Sequence, residues 1–488
     1  MLERLIENPT LGKFILERLK TNAFDSFEIP LSKAIENQTG ALTHKFEHLE
    51  KTTIGKKLGI HKKTDLKDLP YTDYAFYEPF YENPTQDAFI YPLEEYATLK
   101  TSGTTGRNKT ILVPRRAMQK ALRETALPVV FALFHDDKKI TLQYGDTFYL
   151  NMGPAPYISG SMFNMGSKNK RAPFLKLVPN INITYKEKVD YFILNHRKID
   201  AAWIMASTLI TQIMPKLKEP INLKGIIVMD DLIAKTHKDD IAKFTGTSPK
   251  TCFSSTETIS PTIPSVQHSM GFIFDPRRGI FEFTTCENEQ IDKTIGLEQV
   301  EVGKVYRLIY TDLIGEITRY DTANAFKCIA KGDNIINTDY PVFEYNSRLD
   351  STISIMNFTR MGEAELFEAF HILGLNFVDF TTKLNMEQGR EYLYIYAEVI
   401  DQNQNRITEE NIHRYFYAKN PDYKLLSDSF TYRPIRLRFL PQGTFVNYLE
   451  NRKGAFPKIC RIGISDYELE QLCSSAENNT NIGSKTHT

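Results

Sequence analysis

Apolar residues recur at three- and four-residue spacing over the first sixty positions: Leu2, Leu5 and Ile6, then Phe14, Ile15 and Leu19, with charges between them. That period buries one stripe of a helix and predicts packed surface helices. It returns in RRAMQKALRETALPVVFALF, residues 115–134, in spite of the internal Pro128. Four short runs, INLKGIIVMDD (221–231), PKTCFSS (249–255), RRGIFEFTT (277–285) and GKVYRLIYTD (303–312), are β-rich and predict strands separated by helical or irregular stretches. Such an alternation belongs to a large α/β domain. One stretch, YTDYAFYEPFYENP (71–84), is aromatic and polar together and predicts a loop packed against that domain.

Beyond SRLDSTISIMNF the pattern condenses into a small unit. A helix is expected in GEAELFEAFHIL (362–373), strands in LNFVDFTT (375–382) and EYLYIYAEVI (391–400), and a helix capped at Thr408, with Glu409 and Glu410 at its positive end. A strand in IRLRFLP (435–441) and a short helix in TFVNYLENRK (444–453) complete it. The expected organisation is therefore a large multi-sheet α/β domain over residues 1–354 and a small α+β domain over 355–472. Residues 473–488 are too polar to bury a core and are expected to be a disordered tail.

Composition narrows the function. The 488 residues carry 60 Lys plus Arg and 60 Asp plus Glu, a formal charge of zero, so no global field favours a nucleic acid or an anionic membrane. The purest apolar run, Ala126 to Phe134, is less than half of the roughly 20 residues a membrane-spanning helix needs. The first twenty residues lack the unbroken apolar stretch of an export signal. Five cysteines, widely spaced and without CxxC or histidine-paired spacing, encode neither a disulfide scaffold nor a structural zinc site. A reducing, cytoplasmic setting and no membrane insertion are expected.

The strongest local signal is TSGTTGRNKT, residues 101–110. Gly103 and Gly106 let a backbone turn closely around an anion, Ser102, Thr104 and Thr105 add hydroxyl donors, and Lys109 adds positive charge, a set suited to a polyphosphate. From Gly103 the string approaches GxxxxGK[ST]. Asn108, however, takes the place of the last glycine, and strand-like ILVP follows where a P-loop requires a helix. A kinase or GTPase reading is weak on both counts.

TSGTTGRNK resembles the nucleotide-phosphate loop of the adenylate-forming superfamily, which includes acyl-CoA synthetases, luciferases and peptide-synthetase adenylation domains. The chain as a whole, from about residue 71 to 461, is most similar to the acyl-acid amido synthetase branch, the enzymes that join auxin or jasmonate to amino acids, with bacterial members. CFSSTET (252–258) resembles the second superfamily motif; the resemblance implies that Ser255 and Thr256 approach the adenylate and that Glu257 assists magnesium. SMGFIFDPRRGIFEF (269–283), GKVYRLIYTDLIGEITRY (303–320) and NSRLDSTISI (346–355) follow in the branch's order, as pocket strands, ribose-binding segment and approach to the hinge.

Two departures mark this chain. The ribose segment usually ends in an aspartate after an Arg-Tyr pair, whereas RYDTAN (319–324) has Asn324 there, with Asp321 nearby. Asparagine keeps hydrogen-bonding capacity but loses the charge assistance of a carboxylate. Arg319 is open to two roles, a substrate contact or a salt-bridge strut. Near the carboxy end, GTFVNYLENRKGAFPKICR (443–461) resembles the segment carrying the mobile domain's lysine, with Pro457 ahead of Lys458 instead of behind it. Lys458 is the implied catalytic lysine and Lys453 a lesser substitute.

The resemblance implies an AMP-forming ligase that uses ATP and Mg2+ to activate a small carboxylic acid and pass it to an amino acid or related amine. Lys109 and Lys458 would be the catalytic cations. Ser102, Gly103, Thr104, Thr105, Gly106, Lys109, Ser255, Thr256, Glu257, Arg319 and Asn324 would hold the nucleotide, and Glu257 the metal. Transfer to coenzyme A, or nucleotide and acid binding without catalysis, are the competing readings.

Overall fold

The computed structural model describes residues 8–61, 63–101, 109–168, 174–229, 231–286, 291, 293–349, 352–356, 359–387, 390–400, 407–451 and 458–482. The chain divides into two compact units, one of residues 1–205, 219–231 and 237–346, the other of 206–218, 232–236 and 347–488. The expected α/β class with several sheets is what the chain adopts. Among the described residues no helix is long and apolar enough to cross a membrane.

The larger unit opens with helices. The first, Pro9–Thr21, starts where Asn8 accepts hydrogen bonds from the Thr10 and Leu11 amides and Pro9 takes the first helical position. Two sheets follow. One has four parallel strands in the order Leu175–Val178, Asp146–Leu150, Ala201–Met205, Gly225–Met229. Its strands carry few alternating polar positions because most of their residues are buried.

The other sheet has seven strands, ordered Ile295–Gly296, Gly279–Thr285, Val305–Asp312, Tyr320–Ala330, Val342–Arg348, Phe272–Phe274, Thr262–Pro264. Its core is aromatic: Phe274 meets Phe253, Phe272, Phe283, Phe326 and Phe343 edge-on, with centroids 5.2–6.3 Å apart. Gly279 is required here, since a Cβ would stand 2.3 Å from the Tyr310 ring. The ring's hydroxyl donates to the Arg278 carbonyl at 3.0 Å.

The smaller unit carries Phe377–Glu387 antiparallel to Arg390–Val399, which pairs in parallel with Ile435–Leu440. Helices Glu363–Leu373 and Glu409–Lys419 belong to it, the second capped by Thr408 as expected.

Three expectations are corrected. Residues 71–84 hold a helix, Tyr74–Glu82, because Asp73 caps it and Tyr77 and Tyr81, one turn apart, stack at 5.8 Å in the core. The run 249–255 makes only a single parallel bridge, Lys250 to Ile227, because the Lys250 side chain is turned inward onto the carbonyls of Ala132 and His135. The final helix, Asp466–Ile482, runs past residue 473, where the polar composition predicts a tail; buried Leu472 docks it against Phe445 and Leu449.

Candidate active site

Strands Tyr96–Lys100 and Thr110–Pro114 pair antiparallel as a hairpin, with Lys100 opposite Thr110, and residues 102–108 connect them in sequence. Ser102, Gly103, Thr104, Thr105 and Gly106 lie outside the described residues. The stems on either side are fixed from outside the hairpin. The Lys100 amide donates to the Pro156 carbonyl at 3.1 Å, and the Tyr74 hydroxyl both accepts from the Thr110 amide and donates to its carbonyl, each at 3.2 Å. Across the base, Thr101 and Lys109 close the turn: the Thr101 amide donates to the Lys109 carbonyl at 3.0 Å and the Lys109 amide to Thr101 Oγ1 at 3.1 Å. Strand Thr110–Pro114 follows residues 102–108, as the sequence indicates, where a P-loop would have a helix.

Lys109 places its ammonium 4.8 Å from the centre of the Tyr74 ring. Burial raises the Tyr74 pKa, and the carboxylates of Glu78, Glu82 and Glu257 push in the same direction. The structure thus holds Lys109 against one half-buried tyrosine.

Glu257 stands in the turn Ser254–Ser260, which Ile259 and Ser260 close at φ of 52° each, a left-handed conformation costly for non-glycine residues. Hydroxyls hold that turn: Ser255 Oγ to Thr258 Oγ1 at 3.1 Å, and Ser254 Oγ to Ser260 Oγ at 3.2 Å. Thr256 is buried beside them. The Tyr320 hydroxyl donates to Glu257 Oε1 at 3.4 Å. Among the described residues no three His, Cys, Asp or Glu side chains converge to hold a metal ion. A single half-exposed carboxylate does fit magnesium, which usually takes one or two protein carboxylates and completes its shell with phosphates and water.

Arg319 is buried, and the structure assigns it the strut role. Nε and Nη2 form a fork onto the Glu282 carboxylate at 3.1 and 2.9 Å, Nη1 donates to the carbonyls of Lys67 and Leu69, and Nη2 also reaches Thr294 Oγ1. Its guanidinium lies 4.1 Å from the Tyr71 ring centre. Asn324 sits where the ladder between Val305–Asp312 and Tyr320–Ala330 loses register, and its Nδ2 donates to the Thr322 carbonyl at 2.8 Å. The nearby carboxylate of Asp321 is held by Arg307, Nε to Oδ1 at 2.8 Å, and by the Ala323 amide at 2.9 Å.

In the smaller unit Lys458 precedes a clamped segment. Arg461 donates to Asp379 Oδ1 at 2.7 Å and to Glu363 Oε1 at 2.8 Å. Thr381 and Thr382 donate their hydroxyls to the Cys460 and Arg461 carbonyls. Lys453 and Pro457 lie outside the described residues. Sequence reasoning did not find Tyr74, one of six aromatics in fourteen residues, or the segment Asn151–Ile158. That segment continues from strand Asp146–Leu150 to the base of the hairpin. A polar atom there, Asn151 Oδ1, is buried without a hydrogen-bond partner among the described residues.

No family model matches the chain, and no curated protein matches it in sequence. Solved structures do match over nearly the full length. The acyl acid amido synthetase GH3.15 aligns at a TM-score of 0.67 and 13% identity, covering 95% of this chain and 96% of its own. AtGH3.15 in complex with 2,4-DB aligns at 0.63 and 14%, covering 96% of each chain. A 2-hydroxyisobutyryl-CoA ligase in the postadenylation state, in complex with R3-HIB-AMP, aligns at 0.62 and 14%, covering 94% of each. At these identities the likeness establishes the fold.

Proposed function

Taking as premise a chain with the fold of acyl acid amido synthetases and adenylate-forming CoA ligases, we propose that it activates a carboxylic acid with ATP and passes the acyl group to an amino acid or related amine. The observation that carries this reading is the Lys109 ammonium held over the Tyr74 ring at the base of the hairpin, in the same unit as the hydroxyl-braced turn that carries Glu257. A cation of this kind suits the phosphates, and a carboxylate suits the metal they carry.

In the first half-reaction an acid carboxylate attacks the α-phosphorus of ATP, and pyrophosphate leaves. Both partners are anionic, so the barrier is largely electrostatic. Lys109 and the donors of residues 102–106 offset charge on the phosphates, and the family resemblance implies Lys458 as a further catalytic cation. Magnesium bound to those phosphates would take Glu257 as its protein ligand and neutralise further charge. Removal of one preorganised donor from such a site costs roughly 100- to 1,000-fold in rate, so no nucleophilic side chain is required. In the second half-reaction an amine attacks the acyl carbon and AMP leaves.

The sequence order of the pocket strands, ribose segment and small-domain segment supports an amine as acceptor. Full-length likeness to a CoA ligase supports a second reading, thioester formation. Acid-stimulated exchange of labelled pyrophosphate into ATP tests adenylation, and product mass with pooled amino acids or coenzyme A identifies the acceptor. Amide plus AMP is the expected product. A folded, ATP-binding protein without acid-stimulated exchange is a binding protein, and an acyl-CoA product without amide reverses the choice of acceptor.

A further inference from the structure

Resting on that reading, we infer that Tyr74 is a positioning residue of the nucleotide site: it sets the outgoing stem of the phosphate loop and holds the Lys109 ammonium against its ring, ready for the phosphates. Three observations converge on it.

First, the hairpin has only two strands, so at Thr110 the amide and carbonyl on the edge away from Lys100 lack a third strand. The Tyr74 hydroxyl answers both at 3.2 Å. Burial raises its pKa, which keeps the phenol protonated and able to donate. Second, the ammonium of Lys109, one residue before Thr110, is 4.8 Å from the ring centre. A lysine stem has four rotatable bonds, and a face-on aromatic ring narrows where its charge resides without the rigid geometry of an ion pair.

Third, Tyr74 is anchored to the wall that carries Glu257. Arg319 holds the Lys67 and Leu69 carbonyls, its own carbonyl accepts from the Thr72 amide at 2.9 Å, and the Thr72 carbonyl accepts from the Asp321 amide at 2.8 Å. Asp73 then caps the helix that Tyr74 begins, and Tyr77 in its next turn accepts from the Thr318 amide at 2.9 Å. Tyr320, the neighbour of Arg319, donates to Glu257. Hydrogen bonds joined by short backbone segments therefore relate the Lys109 stem to the Glu257 turn, and Tyr74 is their contact with the stem.

The two functions of the side chain separate by substitution. Tyr74→Phe keeps the ring and removes the hydroxyl; Tyr74→Leu removes both. Loss of a typical backbone-directed hydrogen bond predicts a rise of about five-fold in the ATP KM of pyrophosphate exchange for Tyr74→Phe, with kcat near wild type. Removing the ring as well predicts about twenty-fold for Tyr74→Leu. In a Lys109→Ala background, Tyr74→Leu should add no more than Tyr74→Phe does, because the ring no longer has an ammonium to hold.

Amide hydrogen exchange at Thr110 in the ligand-free protein reads the stem independently of activity, and Tyr74→Phe should accelerate it. Unchanged exchange at Thr110 overturns the pinning. Faster exchange with unaltered ATP KM in both variants reduces Tyr74 to a structural residue and overturns its role in nucleotide use. Should the wild-type protein lack pyrophosphate exchange, the adenylation reading fails by itself. Calorimetric ATP affinity of the same variants then decides the inference, with unchanged affinity overturning it.

Discussion

A buried guanidinium stabilises a fold when all its donors are answered, and Arg319 meets that condition through Glu282, two carbonyls and Thr294. Its φ of 44° adds a conformational cost that the same contacts outweigh. Arg319→Ala would leave the Glu282 carboxylate buried and unpaired, a loss of about 3–5 kcal/mol. Arg319→Lys cannot restore the fork, because an ammonium is a point charge. Denaturant unfolding of the larger unit should show both variants weakened; normal stability with only the ATP KM raised would make Arg319 a ligand contact after all. This residue also marks where sequence reading stops. The string RYDTAN placed it beside a nucleotide site, but its partners Glu282, Lys67 and Leu69 are far away in sequence. The same limit hid Tyr74. Lys109 and Glu257 were singled out because their motifs are local, whereas an aromatic among aromatics gains meaning only from the strand edge it meets.

The hairpin illustrates what periodicity can and cannot deliver for an element. YATLK and TILVP flank a Gly/Ser/Thr loop, and that pattern alone separates a hairpin tip from a P-loop. Strands Asp146–Leu150 and Ala201–Met205 were not legible, since parallel strands buried on both faces lack alternation. Helix Tyr74–Glu82 was obscured by Pro79 and by its aromatic composition. The KICR segment is legible for a different reason: its arginine secures it. With Arg461 donating to Asp379 and Glu363 and two threonines holding its carbonyls, Lys458 leaves from a fixed base. Arg461→Met should consequently lower kcat in pyrophosphate exchange as Lys458→Ala does, with ATP affinity retained in each. A wild-type kcat in Arg461→Met, in protein shown to be folded, would detach the clamp from the chemistry.

At the scale of the molecule, three lysines of the larger unit are buried where their charge is expensive. Lys45 donates to the Asp312 and Ile317 carbonyls, Lys250 to those of Ala132 and His135, and Lys188 to that of Met152. Burial pulls all three down to about 8 from an ordinary 10.5. A neutral amine still has two N–H donors, enough for every carbonyl it faces, so loss of the proton relieves desolvation without breaking the hydrogen bonds. Between about pH 8 and 10.5 the unfolded chain therefore binds more protons than the folded one, and stability rises with pH. The opposing groups are tyrosines. Tyr77 and Tyr149 are buried and pushed above the ordinary 10, so the unfolded chain loses its phenol protons first and stability falls beyond that point. The maximum should lie on the alkaline side of neutrality, between about pH 8 and 10. Calorimetric melting of the larger unit checks this: Tm should climb from pH 7.5 to 9.5, and Lys250→Met should lower Tm throughout while flattening the climb. A wild-type Tm that is level or declining over that interval would show that the three ammonium groups keep their protons inside the fold.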